Sequence, residues 1–106
     1  MWSAVRLLCF GLVACKADAQ RCEQAARNFA TLTYWRTADA EIARQPAEKR
    51  TAVRKRKLVQ FTHELESGID TAISQCQSAN NDDQIDCMIE AKTAERALEC
   101  ADLSSD

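Results

Sequence analysis

With 106 residues, 28% of them charged and a net charge of −2, the chain holds one small domain with a thin core. At about 90 residues after processing, it would bury only around 60–65% of its unfolded surface. Two glycines, one proline, an excess of Ala, Glu, Gln, Lys and Arg, and no Val- or Ile-rich alternating run exclude a strand-built fold, leaving an all-α class.

In chain order, residues 1–6 carry one positive charge, and residues 7–14 are an apolar run broken only by neutral Gly11 and Cys9. This is the layout of an export signal. The run fits the roughly 7–15 residues of a signal core and falls short of the ~20 that span a bilayer. No later segment is apolar enough to span, so no transmembrane helix is expected.

Two cleavage instructions follow. Leu12-Val13-Ala14-Cys15 reads as a lipoprotein signal, cut before Cys15, which then carries lipid such as palmitate. Ala17-Asp18-Ala19 reads as an ordinary secretory site that releases a free chain at Gln20. The first is preferred because all four positions match and adjoin the apolar run. An Ala-x-Ala match is easily met in an alanine-rich chain. Residues 1–14 are then a signal peptide, 15–21 a tether, 22–103 a helical disulfide domain and 104–106 a tail. The lipoprotein signal is a bacterial device, so the expected host is a bacterium. Lys16 at the second mature position, in place of Asp, points to an outer-membrane lipoprotein facing the periplasm. A periplasmic or secreted protein is the alternative.

Cys22, Ala25, Phe29, Leu32, Trp35 and Ile42 recur at steps of three, four or seven, predicting a first helix over about 20–44. Pro46 disfavours helix at Gln45 and suits the first turn of a second helix over 47–77. Leu58, Phe61, Leu65, Ile69, Ala72 and Cys76 give that helix its apolar stripe. Gly68 would either bend it or admit another helix closely. "QSANNDDQ" (77–84) reads as a loop. Asn81 with Gln84 resembles a capping box starting a third helix over 83–91, and Thr93 would cap a fourth over 94–102. The architecture expected is a long antiparallel hairpin with two short helices packed at its open end.

Six cysteines are present: Cys9, Cys15, Cys22, Cys76, Cys87 and Cys100. Cys9 leaves with the signal, and Cys15 is lipidated or also removed. The remaining four imply two disulfides in an oxidising compartment. Their spacing is too wide for a zinc ribbon, and there is no Cys-x-x-Cys redox pair. Counted outward from Pro46, Cys22 lies opposite residue 70, more than a turn below Cys76. That favours Cys76–Cys87 with Cys22–Cys100. The rival set is Cys22–Cys76 with Cys87–Cys100.

The stretch "CMIEAKTAERALEC" (87–100) resembles a pattern in small, mostly uncharacterised predicted lipoproteins of Gram-negative bacteria. There a cysteine precedes an Ala-Lys-Thr-like turn, a Leu follows, and a cysteine closes the domain; Cys76 is similar to their upstream cysteine at the end of a longer helix. The resemblance covers about residues 76–100. It implies an exported helical disulfide domain and no known chemistry.

Charge is unevenly spread. Residues 15–57 carry eleven Lys/Arg against five Asp/Glu, and residues 58–106 carry two against eleven. Lys49, Arg50, Arg54, Lys55, Arg56 and Lys57 should gather at the hairpin turn, with Asp82, Asp83 and Asp86 at the other end. The turn lies ~35 Å from the anchor, which argues against the anchoring membrane as target of the basic tip, and nucleic acid is a poor partner outside the cytoplasm. An anionic envelope polymer or acidic protein fits better; a solvated helix face is the bland alternative. Neutralising Arg54, Lys55, Arg56 and Lys57 is expected to leave thermal stability nearly unchanged.

No catalytic set can be assembled. His63 is the only histidine, and Ser67 stands where a zincin motif needs its second ligand. "NNDDQID" lacks the turn glycine and final glutamate of a calcium loop and suits helix capping better. Tyr34 and Trp35 would form core plus edge, or an exposed contact pair. No metal or cofactor is implied. The expectation is a non-enzymatic envelope lipoprotein serving as a structural or binding module. A freely secreted helical interaction protein, inhibitor-like or immunity-like, is the alternative.

Overall fold

The computed structural model describes residues 17–103. Four helices are present in this span: α1 (Ala19–Ala43), α2 (Arg50–Ala79), α3 (Asp82–Glu90) and α4 (Ala94–Ala101), with a 3-10 turn (Ala47–Lys49) between the first two. The signal, Cys9, Cys15 and the 104–106 tail lie outside the described residues.

Helix α1 starts because Asp18, with extended backbone, accepts the Gln20 N–H at 2.8 Å and satisfies one of the first-turn donors. The stretch expected as a tether (15–21) is therefore helical from Ala19 onward. Ala17 just before it is buried, and its carbonyl accepts from Gln77 at 3.3 Å. At the other end Pro46 takes an extended conformation (φ −58°, ψ 146°), which stops α1. The exposed carbonyls there are taken up by Arg50, whose guanidinium donates to Gln45 at 3.0 Å and Ala43 at 3.2 Å.

Helix α2 lies against α1, as the hairpin reading requires, but its buried stripe differs from the expected one. Val53, Lys57, Phe61, Leu65, Ile69 and Ile73 recur every four residues toward α1, and Leu58 is 52% exposed. Half-buried Lys57 sits where Leu58 was expected, its stem covering the helix interface and its head reaching Glu41. Gly68 is not a close-approach glycine within the chain: α2 runs unbroken through it, and a Cβ there would meet no atom within 4 Å.

The expected eight-residue loop shrinks to two residues. Asn80 adopts the left-handed conformation (φ 49°) that ends α2, a geometry asparagine tolerates better than most side chains. Asn81 then caps α3, accepting the Gln84 N–H at 3.1 Å. Only half of the capping box forms. The Gln84 side chain instead donates to the Cys100 and Ala101 carbonyls, 3.2 and 3.0 Å away, closing the end of α4. Thr93 caps α4 as expected, accepting from Arg96 N–H at 3.0 Å.

Helices α3 and α4 pack on α1 and on each other, so α1 is the central element. One buried cluster joins Ala17, Cys22, Ala25 and Ile85; another joins Ala91, Ala97 and Cys100. The largest side chains sealed fully from solvent are Cys22 and Cys100, so crosslinks occupy the place of bulky core residues.

The bridges are Cys22–Cys76 and Cys87–Cys100, with Cα–Cα distances of 5.8 and 5.5 Å. This corrects the preferred pairing Cys76–Cys87 with Cys22–Cys100. The first bridge separates its cysteines by 54 residues, placing the midpoint at residue 49, the last of the 3-10 turn. Counting from Pro46 omitted that turn. Side chains also lean toward their own helix N-terminus, so Cys22 reaches away from the turn and Cys76 back toward it. Cys87, packed against the cluster of Ala91, Ala97 and Cys100, is left to meet Cys100 of α4.

Candidate functional site

Two surface features stand out: a basic tip at the hairpin turn and an apolar groove along one side of α2. The six cations singled out from sequence do gather at the tip, but they divide by role. Arg50 closes the end of α1. Arg54 pairs with Asp39 at 3.2 Å, its guanidinium 5.9 Å from the Trp35 ring centre. Lys57 donates to Glu41. That hydrogen bond, together with the Lys57 charge, holds the Glu41 carboxyl below its ordinary pKa; partial desolvation opposes the shift and Arg44 adds to it. Lys49, Lys55 and Arg56 are exposed and form no ion pair among the described residues. Thus half of the basic set serves the hairpin, and the outward charge of the tip rests on the other half.

Aromatic side chains lie just behind the tip. Tyr34 and Phe61 ring centres are 5.0 Å apart, Tyr34 and Trp35 5.3 Å. The Tyr34 hydroxyl donates to the Lys57 carbonyl at 2.8 Å. All three rings are half-buried, so Tyr34 and Trp35 sit at the edge of the core, each with part of its ring open to solvent. From this cluster a groove of about 690 Å³ runs toward the disulfide end. Ala26, Ala30 and Thr33 of α1 form one wall, Phe61, Leu65, Gly68 and Ala72 of α2 the other, and Ile85 and Met88 of α3 close its base. The lining is mostly apolar, with Thr33, Tyr34, Glu64, Gln75 and Gln84 as its polar members.

The opposite end holds the acids. Arg21 pairs with Asp86, and with Asp82 at 3.9 Å. Asp82 and Asp83 occupy the first turn of α3, where carboxylates favour the helix dipole. Capping is the role the structure gives the "NNDDQID" stretch. His63 lies exposed on the polar side of α2. Among the described residues, no three His, Cys, Asp or Glu side chains gather as a metal site.

Asn28 was missed in the sequence. From the middle of α1 its amide donates to the Met88 and Ala91 carbonyls at 2.7 and 3.0 Å, fastening the end of α3. A signal was present: a poor helix-interior residue placed between Ala25 and Phe29 on the apolar side.

Comparison with known proteins finds no matching family model, curated protein or solved structure. The lipoprotein resemblance therefore rests on the residues that carry it.

Proposed function

We propose that the chain is a small bacterial envelope lipoprotein without catalytic activity, held by lipid on Cys15 and acting as a helical contact module. The observation that carries this reading is where the folded domain begins. Ala17 is buried and Asp18 caps α1, so the domain starts two residues after Cys15. A secretory cut after Ala19 would remove the cap, worth about 1 kcal/mol, along with a packed alanine. A cut before Cys15 leaves both in place. Two disulfides are compatible with an oxidising compartment outside the cytoplasm, and no described helix is long and apolar enough to cross a membrane.

The contact face in this reading is the groove with the adjoining Lys49, Lys55 and Arg56, and the partner is anionic, a polymer of the envelope or an acidic protein. The anchor is tested by palmitate labelling and globomycin-sensitive processing. Cys15→Ser should abolish labelling. A soluble wild-type chain beginning at Gln20 would contradict the anchor and support the secreted alternative.

A further inference from the structure

We infer that the groove is filled by a second copy of this chain, laid antiparallel so that each basic tip meets the other's acidic end. This names the partner of the contact face proposed above and rests on that reading of the face.

Helix α2 has a flank that α1 leaves open. The helix is 30 residues long, yet α1 is its one extensive helical neighbour. Along the edge of α2 that borders the groove, Phe61, Leu65, Gly68, Ala72 and Ala79 recur at steps of three, four or seven, the period of a helix–helix seam. Leu58 lies a step of three beyond its end, and Phe61 and Leu65 also belong to the row facing α1. Leu58 is half exposed, and Phe61 and Leu65 are only half-buried.

The flank is complementary in size to its own reverse. Set against its own reverse, the seam places Leu58 opposite Ala79 and Leu65 opposite Ala72, with the crossing near Gly68. Leu58 and Leu65 each face an alanine, and Phe61 falls opposite the bridged Cys76, a large-to-small pattern that favours interdigitation. Space beside Gly68 is open within the chain, so a second backbone can approach there.

Charge fixes the direction. Residues 35–60 carry eight Lys/Arg and three Asp/Glu, a net of +5; the other described residues carry four against twelve, a net of −8. A parallel pair would stack like charges at both ends. The antiparallel register brings Arg54, Lys55 and Arg56 level with Asp82 and Asp83. The seam from 58 to 79 is about 32 Å long. At a width near 20 Å it covers roughly 600 Å² per copy, somewhat below the usual ~800 Å², so the dimer should be a weak one. The two N-terminal ends fall at opposite ends of the pair, so anchored copies lie along the membrane.

The test replaces Leu58 with a photoreactive benzoylphenylalanine in the full chain, in cells that export it. Irradiation should give a product of twice the chain mass, joined from position 58 to the neighbourhood of Ala79. Gly68→Gln adds a side chain into open space and favours helix, so the melting temperature should hold or rise while the product falls at least tenfold. Lys55→Glu with Arg56→Glu should lower it similarly. A 58-to-58 product, no product, or a product undiminished by Gly68→Gln overturns the pairing. Crosslinking to a different protein overturns the dimer but leaves the contact-face reading standing; no product of any kind removes both. Palmitate labelling of the same cells reports on the anchor separately.

Discussion

The disulfide end and the turn end of this rod are built on different principles. At the disulfide end, α3 and α4 fold back onto α1, two bridges replace bulky core residues, and Asn28, Gln84, Asn81 and Thr93 close the helix termini. At the turn end only two helices meet, and Ala38, Ile42 and Val53 are the buried aliphatics. There polar side chains hold the geometry: Arg50 on carbonyls, Arg54 on Asp39, Lys57 on Glu41. A thin-core chain can keep one end covalently locked while polar side chains hold the other. The difference also explains why cationic residues so close in sequence have unlike roles.

The largest loss of stability is expected from unlocking the disulfide end. Cys22→Ser with Cys76→Ser opens a 54-residue loop and should cost roughly 4 kcal/mol in urea unfolding. Removing Cys87–Cys100, which spans 13 residues, should cost about 3 kcal/mol. Peptide mapping without reductant should recover these two pairs, and stoichiometric zinc on reduced thiols would overturn the disulfide account.

Next in size is Asn28→Ala. It strips the helix-end carbonyls of Met88 and Ala91 of their donor, at about 1–2 kcal/mol. Denaturant midpoints for this variant against Asn28→Asp would sharpen the point, because a carboxylate fills the space but supplies no donor.

A smaller effect belongs to the turn end. Glu41 has a lowered folded pKa, so its contribution is fully present above the ordinary glutamate pKa. It is lost as pH falls through the lowered folded value. Melting curves of wild type and Glu41→Gln should therefore converge in acid and separate toward neutrality. Convergence at neutral pH with separation in acid would reverse the assignment.

Local chemistry made much of the fold legible. Apolar spacing located the two long helices and capping residues the two short ones, all within a few residues, and Pro46 marked the turn. What failed depended on geometry that no local pattern encodes. The disulfide partner of Cys22 hinged on three residues of 3-10 turn and on side-chain lean. Leu58 belonged by period to the stripe, but a step of four along α2 rotated it out and brought Lys57 in. The basic run was legible as a cluster, whereas its division into inward and outward members required knowing where Asp39, Glu41 and the end of α1 lie. For the same reason, the expectation that Arg54 and Lys57 could be neutralised freely needs revision: both now have partners, while Lys49, Lys55 and Arg56 do not among the described residues.

That division supplies the most direct test. Retention of the chain on envelope material should be compared across salt for wild type and for Lys49→Gln, Lys55→Gln, Arg56→Gln together. The account predicts weaker retention of the triple variant at low salt, convergence of the two at high salt as screening shortens to a few ångströms, and a stability change within about 0.5 kcal/mol. Equal retention at every salt concentration would contradict it and leave the basic tip a solvated helix face.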